Sequence, residues 1–432
     1  MSAKSPVDTL FERVVDRGLC TRCGTCVGVC PANAIRISDP LGLSLPERSG
    51  ACTSCGLCLE GCPGERVDFM KLESAYVGEG HSDSLLGIVR SAYLSHAMDP
   101  GIRRAGASGG VATALQLFLL RERRIDGSIL YAGHDSEPWR GEGRIVETED
   151  GIAAAAQSRY HLSPMNTALK RLFEKSGRYA YVGLPCHVHG LRKLQAAGWK
   201  TKAEIGPVIG IYCGNNLYFE ATRAVLRKLG FDRLEDIVSL SYREGRWPGD
   251  FTATDRNGRT RSISKLDFNQ TIPFYANHRC LTCIDLTNEL SDISIGDGWA
   301  KEEASQEGWS IVLARTEEGE RTVRDAAAAG HIHIEGITLG EAAGMHSHAF
   351  DLKKKGAFIR IALWKSWGRA VPSYDREPPP QKLSRRIAEL FVASQFIVCS
   401  SGAGRSVFKR LPLGATGAAF RFLRKIWMRR SK

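Results

Sequence analysis

The stretches CTRCGTCVGVCP (20–31) and CTSCGLCLEGCP (52–63) carry one pattern twice, C-x2-C-x2-C-x3-C-P, at an offset of 32 residues. Cys20, Cys23, Cys26 and Cys30 form the first run, and Cys52, Cys55, Cys58 and Cys62 form the second. Gly24 and Gly56 occupy the same place in each. Two-residue spacers let a tight loop turn three sulfurs toward one small volume, and glycine supplies the backbone freedom for that loop. The proline after the last cysteine starts the chain outward.

This is the spacing of a bacterial two-cluster ferredoxin, in which the fourth cysteine of each run serves the other cluster. The pattern therefore assigns Cys20, Cys23, Cys26 and Cys62 to one 4Fe–4S cluster, and Cys52, Cys55, Cys58 and Cys30 to a second. Structural zinc prefers paired C-x2-C elements with a longer spacer, and fits two identical three-plus-one runs poorly. Residues 33–46 read as a short strand and turn, residues 65–77 as a return strand, and the module as residues 10–78. Such a module relays single electrons and does no substrate chemistry itself. It needs a low-potential donor, such as a ferredoxin, on one side and an acceptor on the other.

The rest of the chain is long enough to hold that acceptor. The whole chain has 432 residues, 43% hydrophobic and 25% charged, which is ordinary globular composition and excludes disordered, collagenous and disulfide-stapled classes. Residues 1–19 lack the apolar core of a signal peptide, and no run of about 18 apolar residues occurs. A cytoplasmic location is expected, with the 13 cysteines serving as thiolates or metal ligands rather than disulfides.

The net charge of +12 is local. Residues 381–432 hold 12 Lys and Arg against one acid, Glu389, while the first 380 residues are nearly neutral. This basic tail follows PPP at 378–380, which reads as a linker. Within residues 418–430, Phe420, Phe422, Leu423, Ile426 and Trp427 lie among five basic residues. A basic amphipathic helix there predicts peripheral attachment to an anionic membrane face at the inner leaflet, and a disordered solvated tail is the alternative. No helix-turn-helix, finger or aromatic–basic platform supports a nucleic-acid partner.

Strands alternate with helices over residues 90–230, which predicts an α/β domain with functional loops at strand ends. Strands are expected over 125–132, 179–184, 205–213 and 292–299, and helices over 151–175 (broken at Ser163-Pro164) and 189–197. In GASGGVATALQLFLL (106–120), Ser108 is placed as an N-cap, with the amides of Gly109 and Gly110 pointing at an anion. A plain capped helix reads equally well. Cys186 and Cys213 lie at strand ends, and Cys280 and Cys283 form a C-x2-C. These four thiols could hold a third 4Fe–4S cluster or a zinc ion, with buried inert cysteines as the alternative. His187 is the candidate proton donor, with His189 beside it, or both are structural. Asp297 serves a ligand or simply its turn. Cys399 reads as core or interface.

Together these segments resemble the coenzyme F420 hydrogenase/dehydrogenase beta subunit family. The matching segments are ASGGVATAL (107–115), QSRYHLSP (157–164), GLPCHVHGLR (183–192), GIYCGNN (210–216) and RCLTCIDLTNELSDISIGDGW (279–299). The resemblance covers about residues 15–370. It implies a fold of the α+β and α/β classes: the ferredoxin-like module, then beta subunit domains at 85–200 and 201–370, then the basic tail at 381–432. It also implies FAD in the central α/β domain, with Ser108, Gly109, Gly110, Arg159, Cys186 and the 183–190 loop near it. Clusters pass electrons singly and a flavin converts them to pairs, so clusters feeding FAD make a coherent circuit. The expected function is an iron–sulfur flavoprotein oxidoreductase delivering to a two-electron carrier or organic substrate, with polysaccharide biosynthesis as its setting. The alternatives are an F420-linked hydrogenase or dehydrogenase subunit active only in a complex, and a non-catalytic electron-transfer adaptor.

Overall fold

Each half of the cysteine repeat folds as a loop ending in a one-turn helix. The computed structural model describes residues 4–299 and 307–430. Thr25–Gly28 follows Gly24 at φ 85°, and Leu57–Glu60 follows Gly56 at φ 78°. That left-handed backbone is open to glycine without penalty. Arg22 and Ser54, two residues earlier in each half, are also left-handed, at 63° and 59°. The repeat in sequence is thus a repeat in backbone conformation.

Ile35–Arg36 pairs antiparallel with Glu47–Arg48. Arg66–Val67 pairs in parallel with Ser373–Tyr374, which ties the module to a segment some three hundred residues downstream. The return strand expected over 65–77 ends at Val67. The helix Phe69–Tyr76 replaces the rest, because Phe69, Leu72 and Tyr76 recur at helical spacing and pack into the core.

The body is built on one eight-stranded sheet. In chain order its elements are β1 (Ser91–Ala97), α1 (Val111–Arg121), β2 (Gly127–Gly133), β3 (Gly141–Val146), β4 (Gly177–Gly183), α2 (Pro185–Ala196), β5 (Ala203–Ile211), β6 (Ile293–Asp297), β7 (Ser310–Ala314), α3 (Glu317–Ala328) and β8 (Ile332–Gly336). The strand order is β8-β1-β7-β6-β5-β4-β2-β3. The central four, β6-β5-β4-β2, are parallel, and the strands flanking them pair antiparallel. Alternate residues of β5 feed the two faces: Val208 packs with Tyr181, Val188 and Leu194, and Ile209 with Leu115, Phe118 and Val312. Both faces are covered, so the strands read as apolar runs.

Two expectations need correction. The helix over 151–175 is two pieces, Glu149–Ala154 and the 3-10 helix Met165–Glu174. Pro164 disfavours helical backbone at Ser163, and the strip between the pieces receives the cysteine module. The described residues of 381–432, up to Arg430, are also not a free tail after a linker. They form α4 (Leu383–Ser400), α5 (Gly402–Arg410) and α6 (Leu413–Arg430). Glu389 of α4 is fully buried, pairing with Arg360 and, at 2.7 Å, with Arg385. Phe408 of α5 is buried with its ring 4.5 Å from that of Phe274. Phe422 of α6 is exposed, and the side chains of Leu423, Ile426 and Trp427 lie outside the described residues. Among the described residues no single helix is long and apolar enough to cross a membrane.

Candidate metal centre

Cys20, Cys23, Cys26 and Cys62 line one small cavity with Gly24 and Pro63. Three sulfurs come from the first run and one from the second. Burial pushes the Cys20 thiol up to about 11, with nearby Arg22 pulling it back. Burial pushes Cys62 up to about 12, and Cys26 far above its ordinary value, with repulsion from the other thiolates adding to both. Cys58 is raised to about 12 by burial and then by Cys30, Cys52 and Cys55. The thiols therefore group three plus one, each group borrowing from the other run.

These groups fit cubane clusters. Four thiolates in one low-dielectric volume need a positive core. Backbone amides aim at the sulfurs: Arg22 N–H at Cys20 Sγ (3.4 Å), Gly64 N–H at Cys62 Sγ (3.4 Å), Ala34 N–H at Cys30 Sγ (3.2 Å) and Ser54 N–H at Cys52 Sγ (3.3 Å). Such bonds to sulfur are one lever on cluster potential. Among the described residues no three His, Cys, Asp or Glu side chains gather tightly enough for a single ion, as zinc at about 2.3 Å from sulfur would require.

The two groups differ in surroundings. The Cys23 carbonyl accepts from the Asn166 amide at 3.0 Å. A Cβ on Gly24 would meet the Pro164 carbonyl oxygen at 2.7 Å, and one on Gly28 would overlap that of Asn166. Asn166 Nδ2 donates to Thr25 Oγ1 (2.8 Å) and to the His187 carbonyl (3.0 Å). A Cβ on Gly56 would meet nothing within 4 Å beyond its chain neighbours, and Cys55 is exposed.

A third set lies behind the inner group. Cys186 opens α2 just after β4, and Cys213 follows β5, so adjacent parallel strands deliver both from their carboxyl ends. Cys280 sits in the 3-10 turn His278–Thr282, and Cys283 follows it. Burial raises Cys186 strongly, followed by Cys23, Cys213, Cys280 and Cys283. Burial raises Cys213 to about 12. The four partly exposed thiols lie close enough to act on one another, and Cys23 acts on Cys186.

Three buried cations stand at this junction, and sequence reasoning missed them. Arg22 Nη1 donates to the Cys20 carbonyl (3.0 Å) and to Asn277 Oδ1 (2.7 Å). Arg279 donates through Nε to the Gly64 carbonyl (2.9 Å) and through Nη2 to that of Pro63 (3.3 Å). Lys353 Nζ donates to the Cys280 carbonyl at 3.1 Å. The only available signal was a basic residue next to a motif cysteine at positions 22 and 279.

Residues 92–170 match the family model described as coenzyme F420 hydrogenase/dehydrogenase, beta subunit N-term, and residues 176–339 match that of its C terminus. Residues 19–67 match a 4Fe-4S dicluster domain. The chain belongs to the coenzyme F420 hydrogenase/dehydrogenase beta subunit family. It is 27% identical over 296 residues to the coenzyme F420 hydrogenase subunit beta of Methanothermobacter thermautotrophicus, covering 67% of this chain and 99% of that one. It is 28% identical to the coenzyme F420-dependent sulfite reductase of Methanocaldococcus jannaschii, across 76% of this chain and 49% of that one. A chain of the F420-reducing [NiFe] hydrogenase complex from Methanosarcina barkeri shares the fold, with TM-score 0.53 and 22% identity over 69% of this chain and 99% of that one. This beta subunit is an iron–sulfur oxidoreductase subunit.

In this beta subunit His187, expected as a proton donor or as a structural group, has both ring nitrogens held by the backbone. It is buried, its Nδ1 accepts from the Leu184 amide (3.1 Å), and its Nε2 donates to the Ser163 carbonyl (2.8 Å). Burial holds its pKa near 4. His189 is likewise committed, to the fully buried Asp285 at 2.8 Å. The anion cradle at Ser108 also needs correction. The residue capping α1 is Gly110, at φ 74°, and Ser108 Oγ bonds Ser310 Oγ at 2.8 Å. The Gly109 amide donates to that same Ser310 oxygen at 3.0 Å. The glycines serve close packing, since a Cβ on Gly109 would meet the Ser95 carbonyl oxygen at 2.7 Å. Arg159 lies against Gly133, where burial lowers its pKa, and it has no carboxylate partner among the described residues. Asp297 accepts twice from Arg243 Nη1 at 2.9 Å, so it is held by an ion pair rather than by its turn.

Proposed function

We propose that this beta subunit carries single electrons from the Cys55 edge inward to the thiol group at the carboxyl ends of β4 and β5 and on to a two-electron centre, and works inside an F420-linked oxidoreductase complex. The observation that carries the reading is the row of thiol groups. The first reaches the surface at Cys55, with Cys30 and Cys58 buried behind it; the second holds the buried Cys23; and Cys186 of the third adjoins Cys23. Bound clusters supply one-electron transfer. The chain holds the sulfurs, turns amides toward them and packs the Ser163–Pro164–Asn166 strip over the inner group to keep water away.

The F420-linked names of the relatives favour the complex-bound reading over polysaccharide synthesis. A larger redox subunit or a ferredoxin-type donor would dock at the Cys55 edge. FAD as the converter from single electrons to pairs remains part of the proposal, motivated by Arg159, a cation with no acid partner among the described residues. Ser108 and Gly109 do not fit it as anion donors, and no step is drawn through it. Peripheral membrane attachment through the basic α6, on the cytoplasmic side, is likewise a proposal, tested by co-sedimentation with anionic vesicles.

Anaerobically purified protein should contain about eight iron atoms with two clusters, or about twelve with three. It should be reduced by the reduced deazaflavin coenzyme in preference to NAD(P)H. A zinc-only protein would overturn the reading. Intact clusters with no acid-releasable flavin and no deazaflavin oxidation would leave the adaptor role instead.

A further inference from the structure

We propose that Arg22, Arg279 and Lys353 are positioning residues that raise the electron affinity of the inner thiol groups, so that an electron arriving at the exposed group is not stalled there. The proposal rests on the reading that these groups hold clusters. Reduction adds one electron and one unit of negative charge to a cluster, with no proton taken and no bond made or broken. At the Cys55 edge water stabilises that added charge. The inner groups lie in low dielectric, where the same charge is more costly. Burial alone would therefore make them the poorer acceptors, and inward flow would run uphill.

The structure places compensation at this step. Arg22 and Arg279 flank the inner group, on the Cys20 carbonyl and on the Pro63 and Gly64 carbonyls beside Cys62. Lys353 sits on the Cys280 carbonyl of the third group. Each of the three is less than a tenth exposed, and none forms an ion pair with a carboxylate among the described residues. Buried cations are almost always paired. Here the available counter-charge is that of the thiolates and what they bind. Arg279 reaches both inner groups, since its guanidinium holds the loop of Cys62 and its backbone directly precedes Cys280. The outer group lacks this: the residue matching Arg22 is Ser54, and the groups acting on Cys58 are other cysteines.

The test is an EPR-monitored redox titration with dithionite on the full-length, anaerobically purified holoprotein. The outer cluster is identified by its loss in Cys55→Ser. Arg279→Gln should lower the reduction equilibrium constant of the inner clusters about tenfold or more, which is 59 mV for one electron, and leave the outer one unmoved. Arg279→Lys should restore most of the shift. Arg22→Gln serves as the second variant, acting on the Cys62 cluster. If iron analysis gives eight atoms per chain, the third group holds no cluster. Lys353→Gln should then move nothing, and Arg22→Gln and Arg279→Gln decide the proposal at the Cys62 cluster. Unmoved inner potentials with iron content intact, or an equal shift at the outer cluster, would overturn it.

Discussion

The two halves of the cysteine repeat have the same spacing and the same backbone, and they live in opposite surroundings. Gly24 lies against Pro164 and Gly56 faces open space. Cys23 is buried and Cys55 exposed. Arg22 is buried against Asn277, while its counterpart Ser54 is exposed. The local pattern makes two equivalent loops, and docking on the body then covers Gly24 of one and leaves Gly56 of the other open. The polarity of the module comes from tertiary packing rather than from the motif.

The largest expected effect comes from matched alanine substitutions at the two glycines. Both lose the freedom of a left-handed glycine, at about 1–2 kcal/mol. Only Gly24→Ala also pushes a methyl into backbone it cannot displace, adding about 2 kcal/mol. Thermal unfolding of the holoprotein should therefore show Gly24→Ala clearly less stable than Gly56→Ala. Equal losses would mean that the inner loop is not clamped against Pro164.

Acid should loosen the docking strip next. His161, buried in that strip, donates from Nδ1 to the Leu162 carbonyl at 2.9 Å, and burial holds its pKa at about 4 against an ordinary 6.5. The unfolded chain takes up a proton there below pH 6.5 and the folded chain does not until about pH 4. This contribution is present above pH 6.5 and is lost as the pH falls toward 4, by up to about 3 kcal/mol. His161→Gln should flatten that part of the stability–pH curve, and an unchanged slope would remove His161 from the account. The smallest effect is expected from Ser54→Arg, which gives the outer half its twin's cation. In solvent that charge is screened, so the outer potential should move by less than a tenfold change in equilibrium. A larger shift would mean that position 54 is drier than it looks.

The thiol grouping was legible because cysteine spacing is a local constraint. The sheet was legible because both of its faces are covered, so its strands read as apolar runs such as Ala203–Ile211. What stayed hidden depends on distant partners. Arg22 meets Asn277 across 255 positions, and Arg279 meets Gly64 across 215. Ser108 has the local signature of a helix cap, but Ser310, 202 residues away, takes its hydroxyl. His187 at a strand end looked reactive, and only the Ser163 carbonyl and the Leu184 amide show that both ring nitrogens are occupied. The basic surplus of 381–432 hid one informative residue, because its single acid, Glu389, is the one that ties α4 into the core.

The central claim is that the two halves exchange their fourth ligand, so that a polar relay emerges from a symmetric repeat. It is tested most directly by comparing Cys30→Ser with Cys62→Ser, reading iron content together with EPR relaxation by a soluble paramagnetic probe. The account predicts that Cys30→Ser removes the solvent-accessible cluster although Cys30 belongs to the inner run, and that Cys62→Ser removes the shielded one. Loss of the shielded cluster in Cys30→Ser, with the accessible one intact, would contradict it.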